Sequence, residues 1–295
     1  MNLLSSAALA RLRESLTGTP APDRYRLREV IGEGGMGVVW RAHDVVLDRE
    51  VAVKVLAAHL DDDALMLRLA REARLLAALA HPGIVPVFDL GTGDDGRAWY
   101  AMRLVEGQRL DAAAREGLSA RDLLRVVEHV CDTVAYAHAH GVLHRDLKPG
   151  NVMIGPFGEV LVLDWGIAGP AGTEQGVIGT PGFMAPEQAV GTTDERSDIF
   201  GIGALIRDLL PPDATPPALQ SIIAKACAVD PAARYQSPVD LRDDLRRFAA
   251  GDRVLAHRES LLERLQRFTT TYRAAILLVL AYLVMRVAIL WWRGI

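Results

Sequence analysis

The sequence predicts an α+β protein of two unequal lobes, β-rich first and α-rich second, with a cleft between them and an apolar helix near the C-terminal end. Three observations predict it. From Tyr25 to Leu104 the apolar residues fall in short β-branched runs such as Val51-Ala52-Val53-Lys54-Val55, the mark of buried strands. From Val105 to about Ala250 they recur mainly at helical spacing. Ala274 to Trp292 is a 19-residue stretch carrying one charge, Arg286. A cleft between two such lobes is a common small-molecule site.

Composition narrows the function classes. The 295 residues are 50% apolar and 24% charged, with a formal net charge of −4. That excludes a disordered tail, a collagen repeat and a polytopic membrane protein. Nucleic acid is not an expected partner, because there is no basic excess. Cys131 and Cys227 are the only cysteines, too few for a disulfide framework or a zinc cluster, and a reducing compartment suits them. Only three of the 33 basic residues are lysine: Lys54, Lys148 and Lys225. A chain that otherwise uses arginine needs a reason for each.

Along the chain, residues 1–24 read as an extension. Leu4, Ala8, Leu12 and Leu16 suit a short helix, and Thr17-Gly18-Thr19-Pro20 ends it. Arg11 and Arg13 lie after the apolar run and no basic region precedes it, which argues against a signal peptide. Residues 25–104 form the β-rich lobe, with one helix near 64–79 whose stripe is Leu65, Leu69, Leu76 and Leu79. His81-Pro82-Gly83 terminates it. Residues 105–250 form the α-rich lobe, with helices expected at 120–140, 196–210, 217–228 and 239–249. A juxtamembrane segment, 251–273, leads to a transmembrane helix over 274–292. At about 1.5 Å per residue that helix matches a bilayer core of about 30 Å. Arg264, Arg267 and Arg273 precede it and keep the lobes cytoplasmic, Trp291 and Trp292 suit an interface, and Arg286 can snorkel outward. An amphipathic helix laid on protein is the alternative. Only Gly294 and Ile295 follow Arg293, so no sensor domain is expected beyond the membrane.

Four short segments carry chemistry. Ile31-Gly32-Glu33-Gly34-Gly35-Met36-Gly37-Val38-Val39 is a Gly-rich loop that continues into a strand, so it joins two strands and its backbone can approach phosphate oxygens. Alone it could be an ordinary hairpin. Lys54 ends an apolar strand, where a charge needs an anion: a nucleotide phosphate or the carboxylate of Glu72 on the next helix. Glu72 by itself could equally face solvent among Arg68, Arg71 and Arg74. His144-Arg145-Asp146-Leu147-Lys148-Pro149-Gly150-Asn151 puts an acid, a cation and an amide in one loop. Val160-Leu161-Val162-Leu163 then delivers Asp164 beside Trp165-Gly166, where a carboxylate can meet a hard cation such as magnesium.

These segments, with Ala185-Pro186-Glu187, resemble in order and spacing the eukaryotic-type (Hanks-type) serine/threonine protein kinases of bacteria, of the membrane-anchored kind, over roughly Tyr25 to Ala250. Lys54 to Glu72 and Asp146 to Asp164 are each separated by 18 residues. The resemblance implies a bilobal protein-kinase-like fold, ATP and Mg2+ as cofactors, and transfer of the γ-phosphate to Ser/Thr hydroxyls of proteins, this chain included. It implies that residues 32–37 cover the phosphates and that Lys54, paired with Glu72, holds the α- and β-phosphates. Asp146 takes the hydroxyl proton, Lys148 offsets phosphoryl charge, and Asn151 and Asp164 hold magnesium. Ile31, Val38, Val39, Ala52 and Met153 enclose the nucleotide, Met102 stands behind the adenine, and the backbone at Arg103–Val105 meets its edge. Two of the three lysines thus stand where a compact ammonium meets phosphate, a task the forked guanidinium does differently.

The resemblance also implies structural roles. Thr180, in Gly179-Thr180-Pro181, reaches Asp146 and Lys148, Glu187 pairs with Arg234, and Asp198 ties its helix to the catalytic loop. Trp165 replaces the usual Phe. Thr173 carries the only hydroxyl of 167–179, and Arg145 could dock it once phosphorylated; Thr180 is the other candidate for that modification. Residues 211–217 leave no room for a helix the family usually places there, which keeps open a nucleotide- or partner-binding pseudokinase scaffold. A small-molecule kinase of related fold is a third reading, which the 179–187 element disfavours. No oligomeric state is implied.

Overall fold

The computed structural model describes residues 24–34, 37–56, 63–93, 97–165, 169–170, 179–260, 263–264, 269 and 272–292. The expected N-terminal helix, Gly35, Met36, Gly166, Thr173, Arg267 and Arg293 lie outside them.

Five antiparallel strands form the first lobe: β1 (Tyr25–Gly34), β2 (Gly37–Asp44), β3 (Arg49–Leu56), β4 (Val87–Thr92) and β5 (Ala98–Arg103), in the order β1-β2-β3-β5-β4. Side chains alternate faces along a strand. Val51, Val53 and Val55 therefore join Tyr25, Ala42, Trp99 and Ala101 in a small core on one face. Ala52, Lys54, Tyr100 and Met102 are left to the opposite face. Lys54 is not the strand's end, as the sequence suggested; Val55 and Leu56 continue it. Helix α1 (Asp63–Ala78) packs on that face and buries Leu69, Leu76 and, just past its end, Leu79.

The second lobe opens with β6 (Gln108–Arg109) and the short α2 (Leu110–Arg115). Helix α3 (Ala120–Ala139) begins where Ser119 accepts from the Asp122 N–H, a cap contributing about 1 kcal/mol. It is the lobe's spine: Val127, Val130, Cys131, Val134 and Ala137 are fully buried on one stripe. Two-residue β7 (Val142–Leu143) pairs with β10 (Gly169–Pro170), and β8 (Val152–Ile154) lies between β6 and β9 (Val160–Val162). Helices α4 (Glu195–Leu209), α5 (Pro217–Ala226) and α6 (Pro238–Ala250) complete the lobe. At Gly203 of α4 any Cβ would press on Ala226 and the Cys227 sulfur, so this glycine sets how closely α4 and α5 approach. Between them stands only the single 3-10 turn Pro212–Ala214. Main-core packing runs unbroken from α1 through α3 to α6.

Packing of the lobe continues past residue 250. Asp244, fully buried, accepts from Tyr235 Oη (3.0 Å) and from the N–H groups of Leu255 (2.8 Å) and Ala256 (3.0 Å), and Val254 enters the core.

The apolar C-terminal stretch is a helix, α7 (Arg273–Trp292). The expectation that it crosses a membrane is not met among the described residues, where no helix is long and apolar enough to do so. Arg286 is a physical reason. It leaves only the 12 residues Ala274–Met285 free of charge, about 18 Å of helix against a core of about 30 Å.

Candidate active site

Strand register builds the floor of the interlobe cleft. Val39, Lys54 and Tyr100 are opposite one another across β2, β3 and β5, and Arg41, Ala52 and Met102 form the next row. All six line one cavity of about 950 Å³, its open mouth included. Ile31 and Gly32 of β1 close it from above, and Glu72 and Leu76 of α1 stand behind. Arg103, Leu104 and Val105 form the strip joining the lobes, and Met153, Leu163, Asp164 and Trp165 the floor. Of the residues expected around a nucleotide, Glu33, Gly34, Gly37 and Val38 do not line the cavity. They form the β1–β2 turn above it. A Cβ at Gly37 would collide with the Val55 carbonyl, so this glycine lets the start of β2 lie close against β3.

Lys54 Nζ donates to both oxygens of Glu72, at 2.8 and 3.0 Å. Glu72 is 3% exposed, which excludes the solvated-face reading of its position. Sequence reasoning missed the third member, Tyr100, whose hydroxyl donates to Glu72 Oε1 at 2.9 Å. Burial, then the neighbouring carboxylate, hold this phenol protonated far above its ordinary range, so it stays a donor. Removing one partner of such a buried group leaves an uncompensated charge, at a cost of several kcal/mol.

Beneath the cleft, Asp146 gathers a second cluster. Its Oδ1 accepts from the Thr180 hydroxyl (2.7 Å) and N–H (2.9 Å), and its Oδ2 from Lys148 Nζ (2.8 Å). Lys148 also donates to the Thr180 hydroxyl at 2.7 Å. Asn151 Nδ2 donates to the Asp146 carbonyl (2.9 Å) and carboxylate (3.2 Å). That commits the amide nitrogen and leaves the amide oxygen to meet a cation. The Asn151 carbonyl accepts from the Leu163 N–H at 2.7 Å, which holds Asp164 one residue beyond. Asp164 has φ 56°, and its exposed side chain lines the cavity. A non-glycine residue in this left-handed region is a point of backbone strain, such as functional sites hold.

His144 braces both loops. Its Nδ1 accepts from the Asp146 N–H (3.2 Å), its Nε2 donates to the Leu163 carbonyl (2.9 Å), and its ring packs on Trp165 at 4.6 Å. Trp165, 1% exposed, donates its indole N–H to Val162. Asp198 accepts from the N–H groups of His144 (2.8 Å) and Arg145 (2.7 Å) and meets His138 Nε2 at 2.8 Å. Burial pushes this carboxyl up, and the His138 contact with the two N–H donors brings it below its ordinary value. Glu187 meets Arg234 at 2.6 and 2.8 Å.

The donor set fits a hard divalent cation bridged to a polyphosphate. Asn151 and Asp164 could offer two oxygens, the number magnesium takes from protein when phosphates and water supply the rest. Among the described residues no three His, Cys, Asp or Glu side chains form a protein-only cage. With an ammonium fixed in the roof and a carboxylate beside a hydroxyl in the floor, the cleft can orient a phosphoanhydride above an alcohol.

Residues 25–238 match the family described as the protein kinase domain. The chain is 32% identical to the serine/threonine-protein kinase PknD of Chlamydia felis over 78% of this chain and 31% of that protein. It is 34% identical to PknD of Chlamydia trachomatis serovar D (78% and 32%) and 32% identical to PknD of Chlamydia muridarum (81% and 33%). The chain thus spans about a third of the length of these relatives.

Proposed function

Because the chain belongs to the protein kinase family, we propose that it is an ATP- and magnesium-dependent protein serine/threonine kinase acting on other proteins and on itself. One observation carries the reading. Lys54, Glu72 and Asp164 line one cavity, and Asn151, which donates to Asp146 and whose carbonyl accepts from the Leu163 N–H next to Asp164, links that cavity to the Asp146–Lys148–Thr180 cluster.

The adenine lies between Val39, Ala52 and Met153, and Lys54, held rigid by Glu72 and Tyr100, contacts the α- and β-phosphates. Bound magnesium supplies charge neutralisation on the phosphates, with Asn151 and Asp164 as its protein ligands. Asp146 accepts the proton of a Ser or Thr hydroxyl as its oxygen bonds to the γ-phosphorus and the bond to the ADP oxygen breaks. Lys148 offsets charge on the moving phosphoryl. The transition state is loose, so positioning and electrostatics do most of the work.

Membrane association through α7 belongs to the same proposal. Its described side chains from Leu277 to Ile289 are exposed and apolar except for Arg286, and no polar face is available to lie against water. The arginines before it favour lobes on the cytoplasmic side.

Transfer of radiolabel from ATP to the full chain and to a generic protein substrate tests the kinase reading. Asp146→Asn is expected to lower it at least about a hundredfold, the scale of a lost general base. Equal transfer by the two forms overturns the reading and leaves a nucleotide-binding scaffold.

A further inference from the structure

Nearly every cation described around the cleft has a carboxylate partner. Lys54 has Glu72, Lys148 has Asp146, Arg41 has Glu29 at 3.2 Å and Arg103 has Glu159 at 3.5 Å. Arg109 is the exception among the cavity's cations. It lines the cavity from the second lobe, is exposed, and makes one hydrogen bond, from Nη1 to the Gly150 carbonyl at 3.2 Å. Gly150 belongs to the loop that carries Asp146, Lys148 and Asn151.

A second guanidinium is tied in the same way to the segment that carries Thr180. Arg207 of α4 is exposed and donates to the Gly182 carbonyl at 3.0 Å. Gly182 lies two residues past Thr180, whose hydroxyl contacts Asp146. Among the described residues neither Arg109 nor Arg207 has an acidic partner within ion-pair distance. Asp111 pairs with Arg115, and Glu106 lines a separate pocket with Arg103 and Leu104, while Asp208, next to Arg207 on α4, is itself exposed.

A peptide that brings a hydroxyl to Asp146 approaches both segments, because Thr180 of one is hydrogen-bonded to Asp146 of the other. Each loop presents an exposed positive charge anchored by a backbone carbonyl, a placement that loses less entropy on binding than a free side chain. We infer that Arg109 and Arg207 are specificity-determining residues that select acceptor sites flanked by Asp or Glu. This inference rests on the kinase reading above.

The test compares kcat/KM of the full chain on three synthetic peptides with one acceptor threonine and acidic, neutral or basic flanks. The acidic peptide is expected to exceed the basic one about tenfold at low salt. That ratio should shrink toward one in 1 M NaCl, where the screening length is about 3 Å. Arg109→Glu and Arg207→Glu should each reduce the ratio severalfold, and the double variant should invert it. Arg109→Lys should retain most of it, which separates charge from packing. Turnover of all three wild-type peptides at equal or base-favouring rates overturns the inference and leaves the kinase reading intact. A rise in the KM for ATP in Arg109→Glu with an unchanged peptide ratio also overturns it, assigning Arg109 to nucleotide. Absence of turnover on any peptide, with no autophosphorylation, overturns the kinase reading itself.

Discussion

The phenol of Tyr100 donates to the same carboxylate that holds Lys54, so two buried donors share one oxygen pair. Replacing it with Phe keeps the ring and deletes only the donor. Loss of one hydrogen bond to a buried charged group costs about 1.5–3 kcal/mol. Tyr100→Phe should therefore lower the denaturant midpoint and raise the KM for ATP more than it lowers kcat. An unchanged midpoint would mean that Glu72 is satisfied without it. No motif announces Tyr100. Its place follows from standing opposite Lys54 in the β3–β5 register, a pairing between residues 46 positions apart. Lys54, Asp146, Asn151 and Asp164, by contrast, each sit in a short segment with a recognisable neighbourhood, whereas Glu72 is picked out only by its 18-residue spacing from Lys54 and the family resemblance. Asp244 shows the same limit. Its residue type suggests a solvated helix face, and only the fold shows it accepting hydrogen bonds from two backbone N–H groups of the following segment.

At the scale of elements, the helices expected in the second lobe formed within one or two residues of their apolar periodicity, because each buries one stripe in the lobe's core, and the one expected in the first lobe did so against the sheet. The shortened 211–217 connection is a single 3-10 turn, held where the Thr215 hydroxyl donates to Pro211 and Gln220 caps the Thr215 carbonyl. Helix α7 is the element whose surroundings the fold does not supply. Its exposed apolar side chains predict that the full chain pellets with membranes, while a chain truncated at Arg273 stays in the supernatant. Release of the intact chain by an alkaline wash would count against insertion of the helix. Arg286 sets the depth: Arg286→Leu should strengthen retention, because the charge-free stretch then runs through to Trp292.

The whole molecule depends on carboxylates that tie distant parts together. Asp198 joins α4 to the catalytic loop, and Glu187 joins the 186–190 turn to Arg234. In both, burial alone would raise the carboxyl, and the opposing donors bring it below its ordinary value. Asp44, held chiefly by Arg24 in the first lobe, is lowered as well. A carboxyl depressed on folding stabilises the native state above its unfolded pKa, about 4, and that contribution is lost as pH falls through the lower folded value. Urea midpoints followed by tryptophan fluorescence should therefore hold level from pH 7 to about 5 and decline below about 4. Asp198→Asn should start lower and decline less steeply. A wild-type midpoint that stays flat to pH 3 would refute this coupling.

Local order alone determined the two-lobed α+β plan, the helix and strand periods and the identity of the ionic groups, since periodicity and motif spacing are properties of neighbouring residues. Tertiary structure decided which charges are neutralised, which carboxylate is buried, and which guanidinium groups stand exposed against the Gly150 and Gly182 carbonyls. Those outcomes depend on strand register and on contacts between residues tens of positions apart. The energy of a charge is set by what surrounds it in space, and sequence distance does not encode that.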